Sequence, residues 1–315
     1  MDATATSMDD ELTLTEFIEL FHRRSRENQH ARTVVQCRTS NCFGQEREIL
    51  MAPLSALKRN SVKVRGAGHA AMVFAHGFGC DQNMWRHVAP SFEGCFRTVL
   101  FDQVGAGNSE ISGYDHAEYA SLRRYADDVI DIVDALDIRD SIFVGHSVAA
   151  MIGVLASIKR PELFSRLVLI GPSPCYIDDE GYTGGFSRET IERMLDFLDE
   201  NYVAWAQNMA PAIMGNLDRP ELGAELVESF CRYNADIARQ FARVTFLSDN
   251  RADLPLVTVP AAILQCTADP IAPDVVGQYV HAAIKGSSFV KLRATGHCPN
   301  ISAPEETIAA IRTFL

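Results

Sequence analysis

From about residue 60 onward, short apolar runs alternate with segments of helical period, and this alternation constrains the fold more than any other feature. Ala71–Ala75, Arg97–Phe101, Ser141–Val144, Arg166–Ile170, Ala261–Gln265 and Ser288–Leu292 read as strands, and Val62–Arg65 as a further, alternating one. Tyr119–Leu136 places Tyr125, Val129, Ile132, Val133 and Leu136 on one helical face. Val148–Ile158 reads as a helix of small residues, and Pro304–Leu315 as a closing helix. Strands that are apolar almost throughout leave no face suited to water. They call for a mostly parallel sheet covered by helices on both faces, an α/β class of fold.

The alternation breaks once, between about residues 175 and 247. That stretch is helical by pattern and rich in aromatics, among them Tyr182, Phe186, Phe197, Tyr202, Trp205, Phe230, Tyr233, Phe241 and Phe246. It is too long for a bare loop between strands, so it must fold into helices of its own. It reads either as a decoration with its own small core or as a lid whose inner face lines an apolar pocket, and the two are compatible. Residues 1–54 read as an extension to the main domain, 55–315. In it Thr13 and Glu16 can form a capping box, after which Leu14, Phe17, Ile18 and Phe21 share one face. A docked or loosely ordered arm is the preferred reading of this extension, ahead of a partner-binding element.

Charge and composition narrow the function. A net charge of −12 disfavours nucleic acid and anionic lipid as partners and fits small neutral or apolar substrates. No apolar run approaches the length of a membrane span, and the acidic start lacks the pattern of a secretory signal, so a cytoplasmic address is expected. The eight cysteines (Cys37, Cys42, Cys80, Cys95, Cys175, Cys231, Cys266, Cys298) are scattered and read as reduced thiols rather than a disulfide framework. Cys37 and Cys42, with His30 upstream, lack a second pair at zinc-ligand spacing, so no metal and no cofactor is expected.

The chemistry gathers where strands end. Val144–Ala149 (VGHSVA) sits at a strand–helix junction, the place of a nucleophile elbow: a sharp turn that lifts the Ser147 oxygen above the sheet edge. The motif alone is weak, and its context gives it weight. Asp269 follows the strand ending near Gln265, and His297 follows the one ending at Leu292. This is the chain order serine, acid, histidine expected of such a triad, with each member at the sheet edge where open α/β sheets bind ligands. His76–Gly79 (HGFG) follows the first strongly apolar strand, where its backbone can turn an amide toward the nucleophile. Phe78 is the expected oxyanion donor and Val148 the second. The Gly-Ala-Gly runs at 66–68 and 105–107 lack the full dinucleotide fingerprint. Asp102 reads as a turn-former, His146 as packed rather than catalytic, and Asp81, Glu110, Asp127, Asp128 and Asp131 as solvated.

The stretches His76–Trp85 (HGFGCDQNMW), Val144–Val148 (VGHSV), Ile170–Tyr176 (IGPSPCY) and Ala294–Pro299 (ATGHCP) resemble the RsbQ-like hydrolases and their plant relatives, the strigolactone and karrikin receptors. The resemblance runs from about Ser55 to the C-terminus and leaves the N-terminal arm without a counterpart. It implies an α/β-hydrolase fold with a V-shaped, four-helix lid over a closed apolar pocket. It also implies Ser147, Asp269 and His297 as the triad, the Phe78 and Val148 amides as the oxyanion hole, and Phe186, Trp205 and Phe246 as pocket-lining positions. Ala149 departs from the glycine of the bacterial relatives but keeps the elbow small.

The expected function is serine hydrolysis of a small apolar ester or lactone, butenolide-type lactones included, through an acyl-enzyme. The rival is a ligand sensor of slow turnover that acts through a signalling protein partner, as the resemblance implies. A cofactor-free haloperoxidase or carbon–carbon hydrolase using the same triad is a further alternative.

Overall fold

The computed structural model describes residues 55–112 and 114–315. The expected N-terminal helix and the Cys37/Cys42 pair lie outside the described residues. Seven strands form one sheet in the order β1-β3-β2-β4-β5-β6-β7. They are β1 (Lys63–Arg65), β2 (Ala71–Ala75), β3 (Arg97–Leu100), β4 (Ser141–His146), β5 (Phe164–Ile170), β6 (Ala261–Ala268) and β7 (Ser288–Thr295). Only β1 is antiparallel, pairing with β3 at the sheet's edge, and its three residues are exposed. Every residue of β2 and β4 is buried, which is why these strands carry no alternation.

Helices α1 (Leu122–Ala135) and α2 (Val148–Lys159) pack on the sheet, and ten of the twelve α2 residues are buried. Four helices come between β5 and β6: α3 (Arg188–Glu200), α4 (Tyr202–Met214), α5 (Pro220–Arg232) and α6 (Ala235–Phe246). Local signals start them. Ser187, Asn201 and Asn234 cap α3, α4 and α6 through their side-chain oxygens, and Pro220 opens α5. Helices α7 (Asp274–Ala283) and α8 (Pro304–Phe314) complete the chain, α7 having no counterpart among the helices read from the sequence. No described helix is long and apolar enough to cross a membrane.

The sheet order places the site. The chain leaves β2 to one side for β3 and returns on the other for β4, so a crevice opens beyond the C-terminal ends of β2 and β4. The HGFG turn and Ser147 both stand at that crevice.

Two of the carboxylates expected in solvent are buried instead. Asp128 takes hydrogen bonds from Arg59 at 2.6 Å and from the Tyr119 hydroxyl at 2.8 Å, and pairs with Arg124 at 2.8 Å. Asp81 caps the turn Gln82–Trp85 by accepting from the Asn83 amide, and lies 3.3 Å from Arg232. Cationic, hydroxyl and amide donors replace the lost water at these sites; at Asp128 burial nonetheless raises the pKa, against the opposing pull of Arg59 and Arg124. Asp102 is buried too, accepting from the amides of Gln82 and Asn108 at 2.8 and 2.9 Å, as suits a residue that holds a turn.

Candidate active site

Ser147 has φ of 57° and ψ of −127°, a left-handed backbone that a non-glycine residue adopts at a cost. Its amide donates to the Ile170 carbonyl at 2.8 Å, which fixes the turn against β5. The Ser147 hydroxyl lies 2.8 Å from Nε2 of His297. On the other side of the ring, Nδ1 lies 2.9 and 2.8 Å from the two carboxylate oxygens of Asp269. A carboxylate can only accept, so Nδ1 carries the proton and Nε2 offers its lone pair to Ser147. Asp269 is held in turn by the amides of Ile271 and Ala272, at 2.8 and 2.9 Å to Oδ1. All three side chains are buried.

The His297 peptide is anchored on both sides. Its amide donates to the carbonyl of Ile213, near the end of α4, at 3.0 Å. Its carbonyl accepts from Nε2 of His146 at 2.7 Å. Asn216, just beyond α4, adds bonds to the carbonyls of Met214 and Thr295. The HGFG turn is fixed by His76, whose Nδ1 donates to the Gly77 carbonyl while Nε2 accepts from the Gln103 amide. Burial lowers the His76 pKa, against the opposing pull of Asp102, so the ring serves as a neutral brace.

Phe78 lies in the HGFG turn, and Val148 follows Ser147 at the first position of α2. Neither amide donates to an acceptor among the described residues. The first N–H groups of a helix have no intrahelical partner, so Val148 keeps its donor free without further cost to the fold.

The space above Ser147 is a cavity of about 30 Å³, lined by Phe78, Tyr176, Ile213, Phe230, Phe246 and Ile271 among others. Small-molecule pockets usually measure roughly 300–1,000 Å³, so this one is closed down. The aromatic cluster explains why. Phe78 packs within 6.3 Å, centroid to centroid, of Trp205, Phe230, Tyr233, Phe241 and Phe246. The Phe230 ring rests directly on Gly79, where an added Cβ would lie 1.8 Å from a ring carbon and where φ is +73°. Only glycine permits both that backbone and that contact.

Of the three expected lining residues, Phe246 faces the cavity, while Phe186 and Trp205 are absent from its wall. Trp205 stacks on Phe230 at 5.5 Å and meets Phe78 edge-on, so those two rings stand between it and the opening. Phe186 pairs its backbone with Tyr176 and Asp178 and is buried beside that segment. Tyr176, Ile213, Phe230 and Ile271 line the cavity without having been singled out for it from the sequence. Cys80 and Cys298 also line it, and burial pushes the Cys80 thiol up to about 12 and the Cys298 thiol well above its usual range. Neither supplies a thiolate at neutral pH. Among the described residues no cluster of His, Cys, Asp and Glu could hold a metal ion.

A model of the alpha/beta hydrolase family matches residues 72–310. Karrikin insensitive 2 receptor CA of Petunia hybrida is 38% identical over 257 residues, covering 80% of this chain and 94% of that protein. A strigolactone esterase of Arabidopsis thaliana is 39% identical over 266 residues, covering 84% and 99%. Among solved structures, a hydrolase from Oleispira antarctica superposes with a TM-score of 0.80 at 38% identity, covering 82% of this chain and 95% of that one.

Proposed function

The chain belongs to the alpha/beta hydrolase family, and on that premise we propose that it hydrolyses a small apolar ester or lactone with Ser147 as nucleophile, His297 as base and Asp269 as the base's anchor. The observation that carries the reading is the continuous hydrogen-bonded chain from Ser147 through His297 to Asp269, set beside two unengaged amides.

Ser147 Oγ attacks the substrate carbonyl carbon as its proton passes to Nε2 of His297, and Asp269 stabilises the imidazolium. The carbonyl oxygen becomes an oxyanion, toward which the Phe78 and Val148 amides donate. The intermediate collapses, the alcohol oxygen leaves with the proton from His297, and an acyl group remains on Ser147. In a lactone that alcohol stays tethered to the acyl group. Water then gives a proton to His297 and attacks the acyl carbon; the bond to Ser147 Oγ breaks, Oγ takes that proton back from His297, and the acid is released. The apolar wall of Phe78, Phe246, Ile213 and Ile271 suits a neutral, compact substrate, and the names of the relatives make a butenolide-type lactone the first to try.

A second reading is favoured by one further observation. The cavity is nearly filled, and the His297 amide is bonded to the lid helix that closes it, so ligand binding, base position and lid position are joined. This suits a ligand-sensing hydrolase whose slow turnover reports to a protein partner through the lid. Turnover of a short-chain aryl ester and of a butenolide probe, with Ser147→Ala as control, tests both. Release of many equivalents at about 1–1000 per second supports the enzyme. One slow turnover with a lasting adduct supports the sensor. Undiminished turnover by Ser147→Ala refutes both.

A further inference from the structure

The turn that lifts Ser147 also carries His146, whose ring faces the loop of His297. Its Nε2 is 2.7 Å from the His297 carbonyl oxygen, and a carbonyl can only accept, so Nε2 bears the proton. Nδ1 is left with a bare lone pair and has no partner among the described residues. It faces Gly77, where a Cβ would lie 2.7 Å from it, so the ring fits only because position 77 has no side chain. The two imidazoles lie 4.9 Å apart, tilted by 49°. Burial and the neighbouring His297 push the His146 pKa down to about 3, with His76 the other titratable ring acting on it. It is therefore neutral at neutral pH.

The residues flanking His297 are tied down, Gly296 by its amide to the Ala268 carbonyl at 2.8 Å and Thr295 by Asn216, but the His297 peptide itself has two hydrogen bonds. His297 follows Gly296, a left-handed residue at φ of +76°, in a loop outside the sheet, yet its ring must meet Ser147 and Asp269 at once. With the ring's two partners fixed, the remaining freedom is in the peptide. The lid holds its amide through Ile213, and His146 holds its carbonyl.

We propose that His146 is a positioning residue for the hydrolysis: its Nε2–H tautomer grips the His297 carbonyl and so keeps the base aligned between Ser147 and Asp269. The inference rests on the reading of His297 as the base. Loss of the grip leaves a buried carbonyl without a donor and the His297 peptide with one hydrogen bond instead of two. A shift of about 1 Å at a reacting group is enough to cost about 100-fold in rate.

The test compares wild type, His146→Leu, His146→Gln and Ser147→Ala on a short-chain aryl ester, with sites counted by a fluorophosphonate that labels reactive serine. His146→Leu is expected to lose about 10–100-fold in kcat per labelled site with KM nearly unchanged. His146→Gln, whose side-chain amide can donate from near the Nε2 position, is expected to recover most of that loss. An unchanged kcat per labelled site in His146→Leu overturns the inference, and so does a Gln variant as slow as the Leu variant. Should His146→Leu not fold, ¹⁵N-histidine spectra of the wild type decide. The ring signal missing from His146→Gln must report an Nε2–H tautomer that does not titrate between about pH 5 and 8. An Nδ1–H signal, or one that titrates there, overturns the inference. Full activity in Ser147→Ala refutes the hydrolase reading instead and leaves the spectra as they were.

Discussion

Phe230→Ala tests whether the lid is packed as a plug over Ser147. The Phe230 ring is 1% exposed, stacks on Trp205 at 5.5 Å, touches Phe78 and rests on Gly79. Removing a buried phenylalanine ring costs about 3–5 kcal/mol. A domain of this size loses about 2–4 °C per kcal/mol, so the melting temperature should fall by about 6–20 °C. Transfer of the ring to water accounts for about 2 kcal/mol of the cost. The remainder, at about 24 cal/mol per Å³, corresponds to a new void on the order of 100 Å³. Added to the present cavity of about 30 Å³, it gives room for a longer acyl chain.

The assay is kcat/KM over a series of aryl esters from acetate to octanoate, alongside thermal unfolding. Each methylene that enters the new space is worth about 0.8 kcal/mol, or about fourfold in kcat/KM relative to acetate. The variant's preferred chain should therefore lengthen by one or more carbons while its melting temperature drops. A variant with the expected drop but an unchanged chain-length profile would refute the placement of the acyl group beneath the lid. An unchanged melting temperature would refute the packing itself.

Two further predictions concern buried charge and pH. Asp128→Ala should cost about 3–5 kcal/mol, because it leaves Arg59 and Arg124 without their buried partner, whereas Asp127→Ala, beside exposed Lys159, should stay within about 0.5 kcal/mol. Chemical denaturation of the two neighbours checks the contrast, and equal effects would contradict it. The second follows from His146, whose folded pKa of about 3 lies below the ordinary 6.5. Below pH 6.5 the unfolded chain binds a proton that the folded chain refuses, so stability is lost as pH falls from 6.5 toward 3. Between pH 6.5 and 4.5 this one group accounts for about 2–3 kcal/mol, and buried His76 acts in the same direction. Urea midpoints over that range should fall less steeply in His146→Gln than in the wild type; parallel curves would refute the assignment.

What the sequence made legible follows from what each feature depends on. Strands β2, β4, β5 and β6 could be located because burial on both faces forces a local run of apolar residues. Ser147, Asp269 and His297 could be located because chain order and strand ends fix where such groups meet. The rest depends on partners distant in the chain. Helix α7 was missed because it buries only Val276, Gly277 and Val280 while exposing Val275 and Tyr279, so no clear apolar stripe is written in it. Asp128 looked like its acidic neighbours, and its partner Arg59 lies 69 positions away. Trp205 and Phe186 carry the chemistry of a pocket wall, but the order of layers from Ser147 outward is set by how α4 and α5 cross the HGFG turn, which no local pattern records.

The lid and the base loop share residues, and this bears on rate. Ile213 lines the cavity with its side chain and holds the His297 amide with its carbonyl. Asn216, three residues on, bonds both the end of α4 and the Thr295 carbonyl, and Arg219 reaches the Ser302 carbonyl at 2.8 Å. A ligand larger than the present cavity has to displace part of its wall, to which the lid contributes Phe230, Phe246 and Ile213 from three different helices. If Ile213 yields by rotating its side chain, the carbonyl stays and the base remains aligned, so turnover can be fast. If α4 yields as a unit, the His297 amide loses its acceptor while the ligand is bound, and the His297 peptide keeps only its bond from His146. In that case chemistry slows at the moment the lid changes shape. On the proposed reading, a fast hydrolase and a slow sensor would then differ in which part of α4 moves, with Ser147, His297 and Asp269 in the same roles in both.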